Sequence, residues 1–367
     1  MGSAAVADPA LDLINPWQHG FPLQRRPFQA LAAASGLSED RVLALCRGLQ
    51  ADGRLSRIGG VFHGQAGGAA LLAALAVPTE VPGRLEAVAA CISAHPGVNH
   101  NYQREHRLNL WFVMTGRDAA AVAAAMDALD AATGLQALRL RMLRAYHIDL
   151  GFDLRQPGAT PRPRPRAPRQ QPIDAGAVPA VAVGDHPLAA LAEAGLPLQP
   201  LPYDAWADRL GRPVHELLQT LQRWQDQGTL RRFGAVLRHH DWGIAANAMG
   251  VFNLPDALGE DAIDRLGQAL GEQPGVTLAY RRERAAGWPF NLYCMVHGRD
   301  RDSVRTTLAA ARRAAGLDGF EHQLLFSCRR FKQTGARRFR ESGESVAADD
   351  AGPSALHPSG ETHHATA

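Results

Sequence analysis

The chain is written twice. Residues 20–24 (GFPLQ) return as residues 195–199 (GLPLQ), and residues 53–61 return as 228–236, both 175 positions later, while Pro96-Gly97-Val98 returns as Pro274-Gly275-Val276, 178 later. A separation that drifts by a few residues is what loop insertions leave in a duplicated domain. Each half must fold by the same rules, and a sheet face left bare by one half has a similar face waiting on the other. With 367 residues, 46% of them hydrophobic, each half has material for a pair of domains with real cores.

Residues 1–10 read as a loose leader. From Leu11 to Gly53 the apolar spacing is helical: a first segment, then residues 26–35, a break at Gly36, and residues 38–51 with Val42, Leu45 and Leu49 on one face. Ser38 is placed to cap the acidic first turn Glu39-Asp40, and Gly53 to end the helix. Helix, tight turn, helix is the helix-turn-helix arrangement. Residues 54–63 alternate as a short strand or wing, with Gly59-Gly60 marking a bulge or close backbone approach. Next come a strand at 69–77, a helix at 82–94, strands at 98–105 and 109–115, a helix at 118–133 and a strand at 135–143. That order is the split β-α-β-β-α-β unit, whose second sheet face must find a partner.

The expected fold is α+β: two homologous halves, each a helix-turn-helix domain plus a ferredoxin-like domain, packed as an intramolecular pseudo-dimer. The expected boundaries are 11–65 and 66–152 for the first half, 186–240 and 241–340 for the second. A Pro/Arg-rich linker spans 153–185, and a small polar tail runs from 341 to 367.

The net charge of +3 is small, so an anionic ligand has to be met by local clusters. Lys332 is the sole lysine. The four cysteines, Cys46, Cys91, Cys294 and Cys328, form no C-x-x-C pair, which signals neither a disulfide framework nor a zinc site and suggests a reducing, cytoplasmic setting. No basic n-region with an apolar core and no 18-residue apolar run occurs, so neither export nor membrane insertion is expected.

The most unusual chemistry lies at residues 97–107, with an altered copy at 275–284. In both, a strand ends among protonatable and cationic side chains, and the next begins Asn-Leu-aromatic (Asn109-Leu110-Trp111, Asn291-Leu292-Tyr293). His100, Tyr102, Arg104 and His106 stand at i, i+2, i+4 and i+6, so in an unbroken strand they share one face. The copies differ: His100 aligns with Leu278, His106 with Arg284 and Thr115 with His297, while Tyr280 and Arg282 are kept. If the imidazoles act as acids, the first half reacts and the second binds or supports; a composite site, or one site per half, is the alternative.

Helix-turn-helix followed by β-α-β-β-α-β is similar to the Lrp/AsnC regulators. Their second helix needs a basic face to meet DNA, whereas here Arg41 and Arg47 stand against Glu39, Asp40 and Asp52, and Arg223 stands against Glu216 and Asp226. A closer resemblance is carried by Arg57-Ile58-Gly59-Gly60-Val61-Phe62, by residues 97–106 with 109–113, and by residues 146–152, which look like the D-type subunit of siroheme decarboxylases. Residues 231–236, 280–284, 288–298 and 331–335 look like the L-type subunit. The likeness covers nearly the whole chain apart from the ends and the linker, and is strongest to fused D–L forms of heme d1 biosynthesis in denitrifying bacteria. It implies a carboxy-lyase that removes the acetate carboxyl groups on rings C and D of siroheme as CO2, giving 12,18-didecarboxysiroheme. It implies no organic cofactor and no resident metal, the iron being carried by the substrate. The rival readings are a tetrapyrrole-sensing Lrp/AsnC-like regulator that binds DNA, and a non-catalytic tetrapyrrole carrier. Siroheme is the expected partner; DNA and membrane are disfavoured, and a further homodimer stays open.

Siroheme presents eight carboxylates around a flat apolar ring, which calls for arginines at the rim, aromatic walls and imidazoles. Expected binding residues in the first half are Arg57, His63, Trp111, Tyr146 and His147. In the second half they are Arg231, Arg232, His239 and Asn247 near the wing, and Tyr280, Arg282, Arg284 and His297 in the sheet. Loss of CO2 from a pyrrole acetate needs a proton donor with a pKa near neutrality beside a cation that orients the carboxylate. His100 or His106 is the expected donor, Arg104 the clamp, and Tyr102 a hydrogen-bond donor or second acid.

Overall fold

A computed structural model describes residues 8–64, 66–148, 178–237 and 246–339. The first half opens with α1 (Pro9–Ile14), α2 (Pro27–Ser35) and α3 (Glu39–Ala51), which lead into β1 (Leu55–Phe62). Asp8 caps α1 by accepting from the N–H groups of Ala10 at 3.0 Å and Leu11 at 3.2 Å, so the expected leader is already helical from Pro9. Ser38 caps α3 through the Arg41 N–H, and Gly36 and Gly53 take the left-handed φ that lets the chain leave α2 and α3. The sheet domain follows as β2 (Ala69–Leu75), α4 (Arg84–Ala94), β3 (Val98–Arg104), β4 (Leu110–Gly116), α5 (Ala119–Thr133) and β5 (Leu138–Ile148).

The second half repeats this order with α6 (His186–Ala194), α7 (Pro202–Leu210), α8 (Val214–Asp226) and β6 (Leu230–Leu237). Its sheet domain is β7 (Ala246–Asn253), α9 (Glu260–Gly271), β8 (Val276–Arg282), β9 (Leu292–Gly298), α10 (Arg301–Ala314) and β10 (Glu321–Gln333). The end of the expected linker is not a solvated spacer. Val178 and Val181 are buried, the Val181 N–H donates to the Ala66 carbonyl at 2.7 Å, and Thr229 Oγ1 donates to the Pro179 carbonyl.

The halves interlock at two levels. In the helical layer β1 and β6 pair antiparallel. The Phe21 N–H donates to the Phe233 carbonyl at 3.1 Å and the Leu196 N–H to the Ile58 carbonyl at 2.7 Å, so each half lays its leading segment on the other's wing. Phe28, Leu31, Val42, Tyr203, Leu217 and Phe233 then share one core. In the sheet layer, eight strands close into a barrel in the order β10-β3-β4-β2-β5-β8-β9-β7. The expected pairing of bare faces holds, since Trp111, Leu140, Met249, Tyr293 and Leu325 meet inside; α4 and α5 cover one outer face, α9 and α10 the other. The sheets also join edge to edge, through β3·β10 and β5·β8. That second joint explains why β5 reaches Ile148 rather than Leu143: its first residues pair with β2 and its later ones with β8.

The repeated Asn-Leu-aromatic motif is architectural. Asn109 accepts from the Val77 N–H and donates to the Val77 carbonyl, both at 2.9 Å; Asn291 does the same for Leu254 at 2.9 and 3.1 Å. Each side chain imitates a strand partner for a chain leaving the sheet. Trp111 Nε1 donates to the Leu108 carbonyl and Tyr293 Oη to the Phe290 carbonyl, which satisfies the polar end of each buried aromatic.

Across the β5·β8 seam, Tyr146 lies on α9 with its hydroxyl donating to Asp264. Gly267 makes room for that ring, since an added Cβ would overlap it. Gly267→Ala should therefore destabilise the fold by about 1–3 kcal/mol, although alanine is the better helix former. Chemical denaturation would check it, and a stabilised variant would contradict the packing.

Candidate functional site

On β3, Asn101 points outward and donates to the Ala89 carbonyl at 3.1 Å and to Ser93 Oγ at 3.0 Å. Its neighbours His100 and Tyr102 take the inward side, with rings stacked 6.3 Å apart. The shared face stops at Arg104, where the strand ends. His106 lies beyond, on a turn; its Nδ1 accepts from the Leu108 N–H and its ring meets Trp288 edge-on at 5.4 Å. The expected four-residue face is therefore a His100–Tyr102–Arg104 face, and His106 belongs to a different neighbourhood.

His100 Nδ1 is 2.6 Å from Asn99 Oδ1, while Asn99 Nδ2 donates to Thr115 Oγ1 at 3.4 Å. With the amide held that way round, Oδ1 can only accept, so Nδ1 carries the imidazole proton and Nε2 is left as acceptor. Burial, helped by the Arg57 guanidinium, pushes the His100 pKa down to about 4. In the free protein this histidine is neutral at pH 7, not poised near neutrality as the sequence led one to expect. A carboxylate set beside Arg57 would cancel that charge and favour the imidazolium. Burial also pushes Tyr102 up to about 12, against the pull of Arg330 and Arg104, so it stays a phenol and a donor.

Arg57, on β1, reaches from the helical layer toward His100. Gly195 leaves room for its Cβ, which any side chain there would meet, and its guanidinium lies against Gly335 in the segment 334–339 that leaves β10. That segment is a strap between the two layers. The Thr334 N–H donates to the Asn99 carbonyl at 2.7 Å, Arg338 Nη1 donates to the His63 carbonyl at 2.9 Å, and Phe339 is buried on Phe62 and His186. Arg231 on β6 joins the group: burial first, then Arg231 and Arg338, push His63 down to about 4. Burial, then the charge of Arg338, lowers the pKa of Arg231, and burial lowers that of Arg338 against the opposing pull of Glu193. From β10, Arg330 stands opposite Tyr102 and Gln333 opposite His100, with Arg330 Nη1 donating to Gln333 Oε1 at 3.1 Å. Arg57, His63, His100, Tyr102, Arg231 and Arg330 are all half-buried rather than sealed in a core. Several guanidinium groups gathered at one half-buried place make a site for a polyanion.

Three residues of this site were not anticipated: Asn99, which orients His100, and Arg330 and Glu193. Glu193 on α6 is buried, and its Oε2 accepts from the N–H groups of Arg338 at 2.8 Å and Phe339 at 3.2 Å. The 175-residue repeat carried a clue, since it sets Glu193 against Gln18.

Several expected binders do other work. Arg104 Nη1 donates to the Leu325 carbonyl at 3.0 Å and Arg282 Nη1 to the Leu140 carbonyl at 2.8 Å, each reaching across a seam into the other half. Both are buried, and neither Nε has a hydrogen-bond partner among the described residues. Trp111 is core. Tyr146 faces α9, as does the Cβ of His147, which lies beside Gly271. Arg232 is buried on β6 at the position equivalent to Arg57. Tyr280 stacks on Tyr293 beneath Arg282. Arg284 is spent on the carbonyls of Leu254 and Pro289 and on Asp256. Asn247 accepts from Ser327, and His297 meets Thr277 at 3.0 Å, neighbours in the β7·β9 register. His239 lies outside the described residues, among which no group of three or more His, Cys, Asp or Glu could hold a metal ion.

The protonation state is testable. Nitrogen NMR of His100 should show a neutral ring protonated on Nδ1 at pH 7, titrating near pH 4; a midpoint at or above 6.5 would contradict the environment described. Because the folded pKa lies below the unfolded 6.5, the unfolded chain binds more protons there. His100 and His63 should thus lower stability progressively as pH falls from about 6.5 toward 4.

Comparison with known proteins matches this geometry to a family. Residues 65–147 and 241–332 match the AsnC-like ligand binding domain, and residues 12–55 and 185–231 match the siroheme decarboxylase NirDL-like HTH domain. The siroheme decarboxylase NirDL subunit of Paracoccus denitrificans is 38% identical over 327 residues, covering 89% of this chain and 96% of that protein. The NirD subunit of Stutzerimonas stutzeri is 54% identical over 145 residues, 40% of this chain and 93% of that one. A crystal structure of siroheme decarboxylase NirDL in co-complex with an iron-uroporphyrin III analogue superposes with a TM-score of 0.61 at 26% identity, covering 91% of this chain and 94% of the other.

Proposed function

The chain belongs to the siroheme decarboxylase NirDL family, and we propose that it removes the two acetate carboxyl groups on rings C and D of siroheme as CO2, yielding 12,18-didecarboxysiroheme. The observation that carries this reading is the half-buried cationic cluster of Arg57, Arg231, Arg330 and Arg338 around the stacked His100–Tyr102 pair. A related protein of the same fold has been captured with an iron-uroporphyrin analogue, another polycarboxylated tetrapyrrole.

Each event converts an acetate and a proton into a methyl group and CO2. Protonation of the pyrrole turns the ring into a sink for the electron pair released when the carbon–carboxyl bond breaks. A second proton then converts the resulting methylene to methyl, and the ring proton leaves. The arginines hold the carboxylate rim. In this account His100 is an acid assisted by its substrate: burial chiefly keeps the imidazole neutral, and a carboxylate on Arg57 offsets the further contribution of that guanidinium and shifts the ring toward taking up a proton. Tyr102 donates a hydrogen bond. Arg104 and His106, assigned as clamp and alternative acid from the sequence, are better read as a seam bond and a turn.

One reactive centre per chain is the reading favoured by comparing the seams. Where His100 faces Gln333 and Tyr102 faces Arg330, the other seam sets Leu278 against Ile148 and Tyr280 against Ala145. The duplicate has kept the fold and Tyr280, but it has apolar residues in place of His100, Arg330 and Gln333. Siroheme then presents its two acetates to one site in turn.

DNA binding is disfavoured because Arg47 of α3 donates to the Leu198 carbonyl of the other half at 2.7 Å. No helix among the described residues is long and apolar enough to cross a membrane. A reducing cytoplasmic setting fits four cysteines that are all free.

Anaerobic incubation with siroheme followed by mass spectrometry should show loss of two carboxyl groups as CO2. Bound but unchanged siroheme would make the protein a carrier, and sequence-specific DNA retardation without turnover would make it a regulator. His100→Ala should retain the fold and lose turnover by roughly 10²-fold or more, while Leu278→Ala stays within a few-fold. Wild-type activity in His100→Ala would remove that histidine from the reaction.

A further inference from the structure

The cationic cluster has a built-in anion. Glu193 sits on α6 of the second half, buried, beneath the first half's wing, with Arg57 of β1 and Arg338 of the strap as the charges acting on it. Its Oε2 already accepts two backbone N–H groups of residues 338 and 339, which suffices to anchor the strap. An amide oxygen could accept both bonds equally well. The fold does not demand a carboxylate there either, since the equivalent position in the first half is Gln18, buried and donating to Asn15. What needs explaining is the negative charge.

We infer that Glu193 is the internal counter-ion of the carboxylate-binding cluster: a positioning residue that keeps Arg57 and the strap in place while the site is empty and competes with an incoming substrate carboxylate for the same cations. The inference rests on the proposed function only in taking a polycarboxylated tetrapyrrole as the ligand. Its geometry is independent of it. Arg57 passes over Gly195, two residues beyond Glu193, and its guanidinium ends against Gly335 of the strap whose backbone Glu193 holds at residues 338 and 339, so the strap links carboxylate and guanidinium. A carboxylate that a ligand can outcompete lowers the mutual repulsion of gathered guanidinium groups without blocking the site.

The competition should depend on pH. Burial raises the Glu193 pKa to about 7 despite the two backbone N–H groups, Arg338 and Arg57, which all favour the ionised form. Below pH 7 Glu193 is largely protonated and leaves the arginines to the ligand; above it, the carboxylate competes. The charges acting on it are Arg338 from the strap and Arg57 from β1, and the nearest histidine on its own helix is His186, which packs on Phe339. Arg231 and His63 lie beyond Arg338. The arginines do not titrate in this range, and His63 and His100 titrate near 4. His186 is the group that needs a control.

The test is equilibrium binding of iron-uroporphyrin III to the full-length protein between pH 6 and 8.5, followed by absorbance. For the wild type, affinity should fall about tenfold between pH 6 and pH 8, the linkage expected of one proton with a pKa near 7. Glu193→Gln should hold the low-pH affinity across the range, with the slope gone. Glu193→Asp, which keeps the charge, should restore a slope, and His186→Asn should leave the wild-type slope in place. A slope unchanged by Glu193→Gln, or uniformly weaker binding in a variant that folds, would overturn the counter-ion role and leave Glu193 as a strap anchor. A wild type that does not bind iron-uroporphyrin III would sink the proposed function, and this inference with it.

Discussion

A β-α-β-β-α-β sheet has two free edges and one bare face, and this molecule depends on how both are closed. Each open edge carries unpaired N–H and C=O groups that invite association with other chains. Here the edge strands of one half pair with those of the other, β3 with β10 and β5 with β8, and the bare faces turn inward to become a barrel core. The duplication supplies both partners within a single chain. Arg104 and Arg282 then cross the seams to the Leu325 and Leu140 carbonyls, a charge-assisted hydrogen bond contributing roughly 1.5–3 kcal/mol in each case.

The seams are also where chemistry becomes available. A seam joins strands from different halves, so residues there need not obey the pattern of either half alone. At the first seam, β3 brings His100 and Tyr102, β10 brings Arg330 and Gln333, and the strap that continues β10 carries Gly335 and Arg338 up to Arg57. At the second seam Leu278, Ala145 and Ile148 take the places of His100, Arg330 and Gln333, and only Tyr280 is kept. Duplication thus supplied two equivalent junctions, of which one sets a histidine and a tyrosine opposite polar and cationic partners. The helical layer contributes through its wings and α6 rather than by presenting a helix to a groove.

Much of the fold was legible in the sequence because it is local. The cap at Ser38, the breaks at Gly36 and Gly53, and the order of strands and helices follow from spacing and turn chemistry. The repeated Asn109 and Asn291 also announced something real, although their work is to pin chains rather than to bind. What escaped notice depends on contacts between distant residues. The period-two alignment from His100 to His106 assumed an unbroken strand, but β3 ends at Arg104, where Glu105 turns its N–H to Phe326. Arg104 and Arg284 looked like carboxylate clamps because no spacing rule reveals a carbonyl waiting across a seam or a loop. Glu193 was hidden in an apolar helix, and only the fold sets it beside Arg57.

The central claim is that a tetrapyrrole occupies the first seam, beneath the β1·β6 wings, and not its duplicate. A crystal structure of this protein with iron-uroporphyrin III tests it most directly. The account predicts one macrocycle per chain, with carboxylates on Arg57, Arg231 or Arg330 and with His100 at its edge or face. A macrocycle seated instead at Leu278 and Ala145, or one at each seam, would contradict it.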